Sequence, residues 1–128
     1  MKTVKIITNN PLVVNKYHEN VEYLDAGVGD VLVRVRDYIH SGARLLNHPL
    51  SGGVAAGISP VKSLIIEPDE KEKPFATDLM SLGLIENAIE RLQEAPAGFG
   101  GYNENTINDF ETVDLDLLDS AMISINKK

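Results

Sequence analysis

Three short apolar runs, at residues 3–8, 21–24 and 44–46, are separated by two stretches whose apolar residues recur at helical spacing, and this alternation is the tightest constraint on the fold. Val4, Ile6 and Ile7 make the first run, which stops at Asn9, Asn10 and Pro11. Asn10 is a suitable helix cap, and Pro11 suits the first helical position, where its missing N–H would lack a partner in any case. The spacing predicts a helix from 11 to about 19 with Val13, Val14 and Tyr17 on one face. A second helix is predicted over 30–41 from Val31, Leu32, Val35, Tyr38 and Ile39, with Gly42 as its left-handed stop. Parallel neighbours need a long return connection, which a helix supplies, so this order predicts parallel pairing with right-handed crossovers.

Leu64, Ile65 and Ile66 mark a fourth strand over 63–67. The segment before it, 47–62, holds Pro49, Gly52, Gly53, Gly57 and Pro60 and predicts a long irregular loop. Without a helix there, two pairings stay open for the fourth strand: parallel through an irregular crossover, or antiparallel at an edge. Residues 68–74 form a charged surface loop. A helix follows over 77–94, with Leu79, Leu82, Ile85, Ile89 and Leu92 on one stripe and Thr77 or Asp78 as cap. Pro96, Gly98, Gly100 and Gly101 then make a hinge into an acidic tail, 103–128. In that tail Leu115, Leu118, Met122 and Ile125 keep helical spacing, while Val113, Leu115 and Leu117 alternate with Asp114 and Asp116 as in a strand; a helix is the preferred reading. The expected fold is therefore α/β: a small, mostly parallel four-stranded sheet flanked by helices, Rossmann-like or flavodoxin-like, as one domain over 1–95. Residues 96–128 are expected to be a hinge and a helical C-terminal extension that packs on the domain or forms a homodimer contact.

The absence of cysteine excludes disulfides, thiolate zinc sites, thiolate-held iron–sulfur clusters and thiol redox chemistry. A formal charge of −7 argues against binding nucleic acid, since Arg34 and Arg36 are the sole suggestion of a basic patch and lie on different faces of their helix beside Asp37. The first strand is too short for a signal sequence and no apolar run is long enough to span a bilayer, so a cytoplasmic location is expected. Spacings that hold a metal are missing, His48 with Asp25 being a weak pair, and neither metal nor cofactor is expected.

In an open parallel sheet, ligands sit outside the carboxyl ends of the strands. Here that edge should collect residues 8–11, 25–30 and 47–53. Thr8, Asn9 and Asn10 offer side chains and a helix start to a carboxylate or phosphate, although ordinary capping explains the same residues. Asn47-His48-Pro49-Leu50-Ser51-Gly52-Gly53 is the most informative stretch. Its Ser-Gly-Gly end can wrap backbone N–H groups around an anion, and His48 can exchange a proton near neutral pH. Ser51 would need a base and an oriented third group to act as a nucleophile, and it sits in no Gly-x-Ser-x-Gly elbow. His18 and His40 lie near helix ends and read as structural. Gly27-Val28-Gly29 follows the second strand and lacks a third glycine, so a helix-start turn explains it better than a dinucleotide loop. Arg44 opens a strand that looks central, from which it can reach a buried carboxylate or a ligand.

With Thr8-Asn9-Asn10-Pro11, Arg36-Asp37-Tyr38-Ile39-His40 and Arg44-Leu45-Leu46-Asn47-His48-Pro49-Leu50-Ser51-Gly52, the chain resembles the GrdX family over approximately residues 2–92. These are small proteins encoded with the glycine, sarcosine and betaine reductase components of amino-acid-fermenting anaerobes, and the resemblance implies that association. The first expectation is an accessory protein of such a system. It would bind a reductase subunit or a small anionic metabolite at the strand-end loops, through Thr8, Asn9, Asn10, Arg44, His48, Ser51, Gly52 and Gly53. The competing expectation is a small hydrolase or transferase acting on a phosphorylated or carboxylated metabolite, with His48 as acid/base and Ser51 as the other catalytic candidate. A regulatory or scaffold domain whose polar loops merely complete the fold is the third.

Overall fold

The computed structural model describes residues 3–51, 59–68, 77–94 and 102–126. Its elements run β1 (Lys5–Thr8), α1 (Pro11–Lys16), β2 (Val21–Tyr23), α2 (Val28–His40), β3 (Arg44–Leu45), β4 (Ser63–Glu67), α3 (Leu79–Glu94) and α4 (Glu104–Asn126). The helix starts follow from local chemistry. Asn10 is extended, its side chain accepts from the Leu12 N–H, and proline opens α1. Asp78 accepts both the N–H and the hydroxyl of Ser81 ahead of α3, and Asn103 accepts the Thr106 N–H ahead of α4. Past α2 the chain turns through Gly42 at φ 103°, a conformation that glycine adopts without a Cβ clash.

The four strands lie in the order β2-β1-β4-β3. β1 pairs parallel with β2, whereas β4 is antiparallel to both β1 and β3. The sheet is thus mixed, with one parallel pair, and the expectation of a mostly parallel sheet is corrected. β4 runs opposite to both of its neighbours, paired from Ser63 to Ile66 with β1 and at Ile66 and Glu67 with β3. Nor is β4 at an edge. Its Leu64, Ile65 and Ile66 are fully buried, so the strand gains most where both of its faces are covered. The edge falls to β3, which is two residues long and partly exposed.

Each face of the sheet carries its own core. Ile7, Leu64 and Ile66 meet Val31, Leu32, Val35 and Ile39 of α2 and Ile85 and Ala88 of α3. On the other face Ile6 and Ile65 meet Val13 of α1 and Leu118 of α4, with Leu115, Met122 and Ile125 against them. The helical stripe foreseen in the acidic tail is therefore the packed one, while Val113 and Leu117 of the competing alternation are exposed. Val14, expected beside Val13, is on the outside of α1 at 36% exposure. The expected loop 68–74 and hinge 96–101 lie outside the described residues but for Pro68. No described helix is long and apolar enough to cross a membrane.

Because Leu118 is 1% exposed in a core shared by both ends of the chain, Leu118→Ala should lower unfolding stability by about 2–5 kcal/mol in urea titration. A loss below about 0.5 kcal/mol would mean that α4 is not anchored through this side chain.

Candidate functional site

β1 and β3 are both antiparallel to β4, and β2 is parallel to β1, so β1, β2 and β3 all end at the edge where β4 begins. That edge brings together Thr8, Asn9 and Asn10 after β1, Ala26 after β2, Asn47 to Ser51 after β3, and Lys62 and Ser63 entering β4. Asp114 of α4 reaches the same place.

Asp114 is buried and accepts the Ser63 N–H at 3.0 Å, the Ser63 hydroxyl at 2.6 Å and the Asn10 amide at 3.0 Å. Since Ser63 gives its one hydroxyl hydrogen to this carboxylate, the 2.7 Å contact between Thr8 Oγ1 and Ser63 Oγ must run with Thr8 donating. Thr8 in turn accepts the Asn10 N–H at 2.9 Å. The other hydrogen of the Asn10 amide goes to the Glu111 carbonyl at 2.9 Å. Asn9 is engaged in the same way: its amide donates to the carbonyls of Ala26 and Pro60, and its oxygen accepts the Lys62 N–H at 2.9 Å. Asn47 extends the β3–β4 ladder, donating to the Ser63 carbonyl at 3.2 Å and accepting the Ile65 N–H at 2.8 Å. Thr8, Asn9 and Asn10 are thus brought together as foreseen, and their donors are used within the protein.

The turn after β3 is different. His48 is exposed and its Nδ1 accepts the Leu50 N–H at 3.0 Å. Ser51 donates to the His48 carbonyl at 3.1 Å; the imidazole is not its partner. What reaches the Ser51 hydroxyl is Lys62, whose Nζ lies 2.5 Å from Oγ and 3.3 Å from the Ser51 carbonyl. Lys62 is 2% exposed. Among the described residues it makes no ion pair, the five that exist being elsewhere. Burial pushes its ammonium down to about 8, against an opposing pull from the Asp114 charge.

Arg44 is not part of this group. It is exposed on the edge strand, 3.3 Å from Glu67. Glu67 closes β4 four residues after Ser63, so Arg44 sits about 13 Å along the sheet from the site. Gly52 and Gly53 lie outside the described residues. Arg34 and Arg36 pair with Glu22 and Glu86 on the flank of α2. Gly27 is the N-cap of α2. Among the described residues no cluster of three or more His, Asp or Glu is placed to hold a metal ion.

Sequence reasoning missed Lys62 and Asp114. Lys62 had no signal in the alternation, since Leu64, Ile65 and Ile66 are all buried and β4 has no outward face against which to count. Asp114 had one, lying four residues before Leu118 on the packed stripe of α4.

A family model described as GrdX-like protein matches residues 5–123. The chain belongs to the GrdX-like protein family. The match runs from β1 to the last turn of α4, past residue 92, where the resemblance read from the sequence ends. Comparisons with curated proteins and with solved structures gave no match. In this GrdX-like chain the whole edge, including Asp114, falls inside the matched region.

The depressed Lys62 value has a definite thermodynamic sign. Below about pH 8 the amine is charged in both states and the penalty for burying that charge is complete. Between about 8 and the ordinary 10.5 the unfolded chain holds more protons, so stability rises with pH. Lys62→Met should remove this limb: the wild type should gain on the order of 2–3 kcal/mol relative to the variant between neutral pH and about pH 10.5. Chemical denaturation of both proteins across that range checks it, and parallel stability profiles would refute the assignment.

Proposed function

We propose that this GrdX-like chain is an accessory protein of a glycine, sarcosine or betaine reductase system, binding a small anionic metabolite at the strand-end edge. Family membership supports the association. The observation that supports the ligand is Lys62: a nearly buried ammonium that, among the described residues, has one serine as its hydrogen-bond partner and no carboxylate within ion-pair distance. A buried charge lacking a counter-charge is costly, and a carboxylate or phosphate held against Ser51 supplies what is missing. The turn 48–51 is the ligand-facing part in this reading, while Thr8, Asn9 and Asn10 hold the edge in shape. The alternative, with His48 as acid/base, leaves Nε2 of that ring for proton exchange, since Nδ1 is held by Leu50.

Thermal unfolding in the presence of acetate, glycine, betaine, acetyl phosphate and inorganic phosphate tests the reading. A ligand present at about 100 times its Kd adds about 2.7 kcal/mol, which for a chain of this size is a rise in Tm of several degrees. At least one of the anions should produce it with the wild type and none with Lys62→Met. No rise with any of them, or an equal rise in the variant, would overturn metabolite binding at this edge; capture of reductase subunits by the same protein would then favour a protein partner.

A further inference from the structure

Ser51 and Lys62 are placed for more than holding an anion. A serine hydroxyl becomes a nucleophile when a base lies within hydrogen-bond reach and is itself held in position. Lys62 Nζ is 2.5 Å from Ser51 Oγ and 3.3 Å from the carbonyl of the same residue, so the amine is fixed against Ser51 by two contacts. Its main chain is fixed as well, through the N–H that Asn9 accepts. Lysine serves as a base only where it is desolvated and lacks a carboxylate partner to keep it charged. Lys62 meets both conditions among the described residues. Ser51 is partly exposed where Lys62 is not, so a substrate can approach the hydroxyl from solvent with the amine behind it.

From this geometry we propose that Ser51 and Lys62 form a nucleophile and general-base pair that accepts the acyl group of small activated esters. The proposal shares its site with the anion reading but does not need an anion to bind. In the charged state Lys62 donates to Oγ, and Ser51 donates to the His48 carbonyl. With the amine neutral, the hydroxyl turns its hydrogen to Nζ. The Ser51 oxygen then adds to the ester carbonyl carbon as its proton passes to Lys62. Collapse of the tetrahedral species breaks the bond to the leaving alcohol, which takes that proton from the ammonium. Water, deprotonated by the same amine, then cleaves the acyl–serine ester and returns both groups to their starting states. The charged group acting on Lys62 is Asp114 of α4, drawn aside to Ser63 and Asn10. The His48 ring is on the same turn, tied to the Leu50 N–H.

The test uses the full chain with a fluorophosphonate probe and with p-nitrophenyl acetate, read by nitrophenolate release, intact mass and peptide mapping. One label per chain at Ser51 is expected, with a rate that rises to a midpoint near pH 8 and levels off above it. Ser51→Ala should abolish labelling at that position, and Lys62→Arg, which keeps the charge but cannot act as a base, should slow it on the order of 100-fold. The proposal is overturned by an unlabelled Ser51 in the folded wild type, by labelling unchanged in Lys62→Arg, or by a rate climbing tenfold per pH unit without a plateau, as hydroxide attack would give. The pH profile needs no variant, so it decides the matter should Lys62→Arg not fold. Labelling without any anion-dependent thermal shift removes the anion reading alone; a shift without labelling removes this one alone.

Discussion

Asp114 carries a carboxylate from the middle of a 23-residue helix into the edge where the strands end, and most of the molecule's polar order is arranged around its reception. Such a group is tolerable in an interior only when its oxygens are met by good donors. Ser63 meets it with an amide and a hydroxyl, and Asn10 with its side chain. The bonds tie α4 to the first residue of β4 and to the cap of α1, three segments widely separated in the chain. Thr8 continues the pattern, since its hydroxyl accepts the Asn10 N–H and donates to Ser63, which donates in turn to Asp114. No buried side-chain polar atom among the described residues lacks a partner. Tyr17 and Lys16 bind Asp119 one turn further along α4, so α1 and α4 are fastened at two heights on one face of the sheet.

The antiparallel entry of β4 explains why the edge exists in this form. Had β4 followed a helical crossover, its first residue would lie at the far end of the sheet, away from the turns after β1 and β3. Running the other way between them, it delivers Lys62 and Ser63 directly into the group. The sheet therefore gathers three strand ends and one strand start, and the last supplies both the counter-group to Asp114 and the buried amine.

Local signals were legible in the sequence wherever one residue decides the backbone. Asn10 and Pro11 mark the start of α1, Gly42 the end of α2, and the Leu115, Leu118, Met122, Ile125 stripe the packed side of α4. The mixed pairing was not legible, because it depends on a competition between β3 and β4 for the central position, and that competition is decided by burial on both faces rather than by any turn residue. The site was half legible for a similar reason. Asn9, Asn10, His48 and Ser51 stand in conspicuous turns, whereas Lys62 is embedded among Val61, Ser63 and Leu64 and looks like the start of an ordinary strand. Asp114 belongs to an acidic stretch in which Glu104, Asp109 and Asp116 are exposed and Glu111 and Asp119 half-buried, so composition hides the one carboxylate of that stretch that is buried. Arg44 misled in the opposite sense: its strand is at the edge, and the charge faces water beside Glu67.

Asn9 shows how the two halves of the edge depend on each other. Its amide joins the turns after β2 and before β4, and its oxygen holds the Lys62 N–H. The backbone of Lys62 is thereby fixed by the saturated half, while its side chain runs into the half that contains Ser51. The amine itself is held by its contacts with the Ser51 hydroxyl and carbonyl. The edge thus fixes the strand that carries Lys62 through one set of hydrogen bonds and its amine under the Ser51 hydroxyl through another, and the chemistry available there follows from the order of the fold.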